Sequence, residues 1–161
     1  MNYKKIRENR KHRENIEIVK IRLSNYGKNL KLIDEIKAEI VEKRDRLDML
    51  RCGWSDSDPT NGGGSSQEEK ITSILDEIEF LEDEIKKIRL SDEEISNAIA
   101  KLSDNMLQSI VFRLWVFDKH SDKHDTIRGL ALKYELSKNM IWRKSDCALL
   151  GIYKCLYNDW N

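Results

Sequence analysis

The sequence predicts an all-α protein in which a long antiparallel coiled-coil hairpin is followed by a small helix-turn-helix domain. The composition is typical of long solvated helices, because 36% of the 161 residues are charged and the chain has only one proline and seven glycines. Apolar residues recur with heptad spacing on both sides of a Gly-rich segment, which predicts two paired helices. Near the C-terminus, two short amphipathic stretches flank a tight turn.

Residues 1–28 are predicted to form a basic helix or arm. Residues 1–13 carry six lysines and arginines against one glutamate, and such a segment could contact DNA phosphates. The solvated start of a helix is the simpler interpretation of the same residues. Apolar residues enter the pattern later, three or four positions apart, at Ile16, Val19, Leu23 and Tyr26.

Residues 29–102 are predicted to form the coiled-coil hairpin. In its first helix, Lys43 interrupts an a/d grid that is otherwise apolar. The apolar positions of this grid are Ile33, Ile36, Ile40, Leu47 and Leu50. In the second helix, nine of the ten a/d positions from Ile71 to Leu102 are apolar, and Asp92 is the exception. One hairpin cannot bury all these side chains, so we expect it to dimerise or to pack on the C-terminal helices.

Residues 52–67 are predicted to be the loop of the hairpin, because they hold the only proline and four of the seven glycines. The segment Ser66–Glu69 has the pattern of a capping box at the start of the second helix. Ser91–Glu94 has the same pattern, which predicts a second capping box and a kink or restart of the helix near Leu90.

Residues 103–161 are predicted to form the helix-turn-helix domain. A short amphipathic helix over 104–117 comes first, and a polar turn follows at 118–125. Thr126 then opens a helix, which Asp125 or Thr126 could cap, Leu136 anchors the next turn, and Ser137 caps the last helix. The predicted buried face of that last helix is Ile141, Ala148, Leu149 and Ile152.

The outward face of the helix that starts at Ser137 is the predicted DNA-binding site. A recognition helix enters the major groove with its N-terminal side chains on the base edges. Lysine and arginine can pair with guanine, asparagine with adenine, and an apolar side chain with the thymine methyl group. The predicted DNA-binding residues are Ser137, Lys138, Asn139, Met140, Trp142, Arg143 and Lys144. Double-stranded DNA is therefore the expected partner.

This C-terminal pattern resembles the fourth region of sigma-70-type factors. In that family, Thr-aliphatic-x-x-Ile-Ala is followed by a Gly-containing turn, a serine, and a recognition helix that ends in Ala-Leu. The matching residues are Thr126, Ile127, Leu130, Ala131, Leu136, Ser137, Ile141, Ala148 and Leu149. Glu135 replaces the turn glycine, which requires an altered turn or a strained backbone, and Lys144 stands at a position that is usually apolar.

The order of the segments is also similar to that of small phage and prophage proteins from Gram-positive bacteria, over roughly residues 30–155. Those proteins join a basic start, two coiled-coil helices around a Gly-rich loop, and a sigma-like helix-turn-helix. The resemblance implies a phage or prophage regulator of transcription of the ArpU and RinA type. The coiled coil would then serve oligomerisation, for example as a dimer, or contact RNA polymerase.

Two other functions stay open at this point. A DNA-packaging protein of the small-terminase type also joins a helix-turn-helix to oligomerising helices. A coiled-coil adaptor or inhibitor would use the same helix-turn-helix as a scaffold without binding DNA.

No enzyme, cofactor site or metal site is expected. No pair of side chains suited to catalysis stands out, and Cys147 and Cys155 are expected to line a core. The two histidines and three aspartates of Asp118–Asp125 lie in a predicted loop, where the spacing of a helical ligand pair does not apply. Three cysteines without metal-type spacing indicate a reducing, cytoplasmic setting. No membrane partner is expected, because no apolar run is long enough to span a bilayer.

Overall fold

The structure is a computed structural model that describes residues 3–52 and 66–157, with the side chains of residues 3–7 left out. All regular structure in these ranges is helical, which confirms the predicted all-α class. The helices are α1 (Tyr3–Arg51), α2 (Gln67–Ser91), α3 (Glu93–Ala100), α4 (Asn105–Val111) with a π-helical turn at Phe112–Val116, α5 (Ile127–Lys133) and α6 (Lys138–Tyr157). Within the described ranges, no helix has the length and apolar character needed to cross a bilayer. Most of the predicted loop 52–67 lies outside the described residues.

The chain forms two compact units. The terminal unit combines Met1–Leu30 with Asp92–Asn161, and the central unit is Lys31–Ser91. Helix α1 contributes residues to both units. The sequence-based division into domains at residues 28 and 102 stays a prediction.

The central unit is an antiparallel pair formed by the second part of α1 and by α2. The side-chain amide of Gln67 donates through Nε2 to the Leu50 carbonyl over 2.6 Å, and Lys43 Nζ donates to Glu77 Oε2 over 2.6 Å. Apolar side chains from both helices form one buried cluster: Ile33, Ile36, Ile40, Leu47, Ile74, Ile78, Leu81 and Ile85. Every member of this cluster occupies a predicted a/d position, so the heptad pattern correctly identified the apolar face of each helix.

Lys43, the polar interruption of the first grid, forms an ion pair between the two helices. Its ammonium group lies 2.6 Å from Glu77 and 3.4 Å from Glu39. The hydrogen bond raises the pKa of Lys43 above its ordinary value and lowers the pKa of Glu77. The lysine stem can cover apolar surface while its charged end stays in water, which is how a lysine is tolerated at a heptad position.

The capping box predicted at the start of α2 is confirmed. Ser66 Oγ accepts from the Glu69 amide over 3.2 Å, and Glu69 Oε2 accepts from the Ser66 amide over 2.9 Å. Two amide donors at the start of the helix are thereby satisfied reciprocally.

The predicted restart near Leu90 is confirmed, because α2 ends at Ser91 and α3 begins at Glu93. The second capping box, in contrast, was a wrong prediction. The Ser91 hydroxyl donates to the Ile88 carbonyl over 2.7 Å, and Asp92 at the N-cap makes no capping hydrogen bond with its side chain. Asp92 Oδ1 accepts instead from the side-chain Nδ2 of Asn29 over 2.9 Å.

The terminal unit buries apolar side chains from four segments in one core. Its buried members come from α1, α3, the α4–π segment and α6: Ile16, Val19, Leu23, Ile95, Ala98, Ile99, Val111, Val116, Ala148, Leu149 and Ile152. The heptad pattern had assigned Ile95 and Ile99 to the coiled coil. They join this core because the break at Asp92 starts a separate helix.

At Gly27, the backbone of α1 packs directly against the backbone at the end of the π turn. A Cβ atom on Gly27 would lie 1.9 Å from the Val116 carbonyl oxygen. Beside this contact, the rings of Tyr26 and Phe112 pack with centroids 6.4 Å apart. Any side chain at Gly27 would therefore push two backbone segments apart.

We expect Gly27→Ala to lower the free energy of unfolding by about 1–3 kcal/mol, the usual cost of overpacking. Urea unfolding of the full chain measures this change. The matched control is Gly151→Ala, because a Cβ there would meet only the Leu102 Cδ2 methyl, at 3.3 Å. That control should be neutral or stabilised by up to ~1 kcal/mol through helix propensity. Equal stabilities for the two variants would contradict the proposed contact.

Candidate nucleic-acid interface

Helices α5 and α6 pack with α4 around a second hydrophobic core of the terminal unit. Its buried members are Ile110, Leu130, Ala131 and Ile141, and Leu136 of the turn packs against them. The cap residues are those that the sequence predicted. Thr126 Oγ1 accepts from the Gly129 amide over 3.0 Å, and Ser137 Oγ accepts from the Met140 amide over 3.2 Å.

The turn between α5 and α6 contains a strained residue. Glu135 has φ 53°, and it is the one residue other than glycine with positive φ in the described part of the chain. The Leu136 amide donates to the Ala131 carbonyl over 3.0 Å, and the Glu135 amide donates to the Leu132 carbonyl over 3.3 Å. These two bonds form a Schellman motif, in which the left-handed position is usually glycine. Of the two predicted outcomes, the structure therefore shows the strained backbone.

All seven predicted DNA-binding residues lie at the start of α6. Six are exposed and Lys144 is half-buried, while Ile141, Ser145 and Ala148 on the other side are buried. Met140 and Trp142 keep 42% and 45% of their surface exposed, so two large apolar side chains are available to a partner.

Positive charge is concentrated on α5, the turn and the start of α6. Between Thr126 and Ser145, five basic residues stand against Glu135: Arg128, Lys133, Lys138, Arg143 and Lys144. Among the described residues, none of these five forms an ion pair. In the central unit, by contrast, Lys43 and Arg44 pair with acids of α2. The chain is neutral overall, but this motif carries a local excess of four positive charges.

A hydrogen bond from the π turn holds α6 in place next to these residues. Trp115 Nε1 donates to Ser145 Oγ over 2.9 Å, and Ser145 is fully enclosed. The Lys20 ammonium lies 4.5 Å from the centroid of the Trp115 ring. The π turn itself is closed by a bond of 2.9 Å from the Phe117 amide to the Phe112 carbonyl. These contacts limit rotation of α6 about its axis and so select which side chains face outward.

Sequence reasoning missed this contact, because residues 104–117 have the pattern of an ordinary amphipathic helix. The available signal was Ser145, a polar residue on the otherwise apolar face of α6.

The other candidate sites have no such organisation. In the described residues, no group of three or more His, Cys, Asp or Glu side chains could hold a metal ion. Cys155 is half-buried against the core, as expected, but Cys147 is exposed and its predicted place in a core was wrong. Its neighbour Ala148 occupies the buried position of that helical turn.

We expect Glu135→Gly to raise the free energy of unfolding by about 1 kcal/mol. Glycine removes the ~1–2 kcal/mol cost of the left-handed conformation. Part of this gain is lost because glycine has more backbone entropy to lose on folding. Thermal unfolding should show a midpoint about 2–4 °C higher. Glu135→Ala is the control, since it removes the charge and keeps the Cβ atom. An alanine variant as stable as the glycine variant would show that charge, and not backbone strain, determines the effect.

Comparison of the chain with models of protein families, with curated proteins and with solved structures finds no match.

Proposed function

We propose that this protein is a sequence-specific DNA-binding regulator of transcription, of phage or prophage type, that acts in the cytoplasm. Helices α5 and α6 work as a helix-turn-helix, and α6 reads the major groove. The observation that carries the proposal is the group of five unpaired cations on this motif in a chain of zero net charge. Protein–DNA affinity depends mainly on contacts between such cations and phosphates.

The exposed start of α6 supplies the chemistry for reading bases. Arg143 and Lys138 can donate to guanine O6 and N7, and Asn139 can pair with adenine N6 and N7. Met140 and Trp142 offer apolar surface to a thymine methyl group. Ser137 uses its oxygen to cap the helix, and its hydroxyl hydrogen remains available for a phosphate.

The central unit acts in this proposal as an antiparallel coiled-coil hairpin that precedes the helix-turn-helix. It serves oligomerisation, in the simplest case as a dimer, or contact with RNA polymerase. A dimer would bind two half-sites separated by about 34 Å, one turn of the duplex, or by a multiple of it.

The proposal is tested by selecting bound duplexes from random DNA sequence. The wild type should enrich one site, and Arg143→Ala should lower the affinity for that site by about 5-fold to 150-fold, the loss of one bidentate base contact. Trp142→Ala should weaken the preference at a single base position. Lys154→Ala, an exposed cation in the last turn of α6, is the matched control and should retain the enriched site.

Enrichment of no site by the wild type would refute the proposed function. Binding without sequence preference, together with ring assembly in solution, would favour a packaging protein of the small-terminase type. The absence of any salt-dependent DNA binding would favour a coiled-coil adaptor or inhibitor.

A further inference from the structure

The described side chains near the start of α1 lie outside the core of the terminal unit. Helix α1 begins at Tyr3, and among its described side chains, from Glu8 onward, the first buried one is Ile16. The side chains of residues 8–14 are all exposed. Two of them, Glu8 and Glu14, are acidic, and three are basic and form what we call the basic surface: Arg10, Lys11 and Arg13. In the described residues, Arg10 pairs with the exposed Glu14 over 3.1 Å, whereas Lys11 and Arg13 form no ion pair.

These basic residues add little net stability to the helix on which they lie, because the exposed Arg10–Glu14 pair is weak and is offset by repulsion between like charges. Arg10 and Arg13 are three positions apart, where like charges destabilise a helix by a few tenths of a kcal/mol. The sequence continues the same charge upstream with Lys4, Lys5 and Arg7.

The basic surface belongs to the same compact unit as α6. Ile16 and Val19, directly after it, share a core with Ala148 and Ile152 of α6. The basic surface therefore lies on a helix that packs against α6, the proposed recognition helix. Of the two structures predicted for the N-terminal segment, a helix or an arm, the structure shows the helix.

We propose that the basic surface of α1 binds the phosphate backbone of DNA, without recognising bases, as a second contact next to α6. This inference rests on the proposed function. From Arg10 to Arg13 the helix rises by about 5 Å, and a DNA strand carries one negative charge per ~3.4 Å of helix axis, so the three cations can meet neighbouring phosphates. The basic surface supplies salt-dependent affinity, and α6 supplies the sequence preference.

The test measures affinity for a mixed-sequence duplex of fixed length as the KCl concentration rises from about 50 mM to 200 mM. The variant replaces Arg10, Lys11 and Arg13 with glutamine, a good helix former that removes the charge and keeps the helix. The slope of log K against log [KCl] should become shallower by about 2 to 3, because each lost phosphate contact removes about 0.9. The ratio between the affinities for the selected site and for mixed sequence should not change.

The matched control changes three exposed cations on the central-unit part of the same helix, Lys37→Gln, Arg46→Gln and Arg51→Gln. It alters the net charge equally and should leave the slope as in the wild type. A wild-type slope for the basic-surface variant, or an equal loss in the control, would overturn the inference. Loss of binding to phosphatidylserine vesicles with no change in the DNA slope would assign the surface to membranes and overturn it too.

The outcomes separate this inference from the proposed function. If the wild type enriches a site and the basic-surface variant keeps its slope, only the inference fails. If the wild type enriches no site but its slope depends on the basic surface, the regulator proposal fails, and of the inference only the phosphate contact of α1 stands. A wild type that binds no DNA refutes both.

Discussion

The apolar side of α6 is shared between two hydrophobic cores, and this burial determines which of its side chains face solvent. Ile141 enters the core with α4 and α5, whereas Ala148, Leu149 and Ile152 enter the core that contains α1 and α3. Ser145, between them, accepts a hydrogen bond from Trp115. A helix held at both ends of its buried face cannot turn about its axis without opening one core. The exposed set from Ser137 to Arg143 is therefore preorganised, which a reading helix requires for defined base contacts.

The two units differ in how they use charge. In the central unit, cations of α1 stand opposite acids of α2, and two ion pairs connect the helices. Such exposed pairs add little stability, about 0–1 kcal/mol each. Within each pair, however, the positive and negative charges neutralise each other. In the terminal unit, the cations of the α5–α6 motif and of the basic surface stay largely unpaired within the described residues. A chain of zero net charge can thus still present a surplus of positive charge locally.

Local sequence patterns predicted the features that depend on neighbouring residues. The heptads identified the apolar face of α2, Ser66 and Glu69 identified its start, and Ser137 identified the start of α6. The pattern at Ser91–Glu94 failed, because the Ser91 hydroxyl donates to the Ile88 carbonyl and a residue distant in sequence, Arg22, pairs with the Glu94 carboxylate. Heptad spacing likewise shows which side chains become buried but not which partner buries them.

The π turn is the clearest case of this limit. The spacing of apolar residues in 104–117 does not distinguish the i→i+5 hydrogen bonds of a π-helix from the i→i+4 hydrogen bonds of an α-helix. Tertiary contacts determine which of the two forms. The approach of Gly27 to Val116 and the bond from Trp115 to Ser145 both involve the last residues of that turn. The predicted site residues were found on the surface of α6, but the contacts that orient them lie on segments that no motif connects to it.

Glu135 combines two costs at one position. Its left-handed backbone is strained, and it is the one acidic residue between Thr126 and Ser145. Near DNA, its charge would also oppose the approach of phosphates. Both costs can persist because the geometry of the turn is determined elsewhere, by the carbonyls of Ala131 and Leu132 and by Leu136 in the core. Under the proposed function, a negative charge at the turn weakens binding to every DNA sequence alike. Discrimination then depends on the side chains of α6, because a contact that treats all sequences equally changes affinity without changing the ratio between sites.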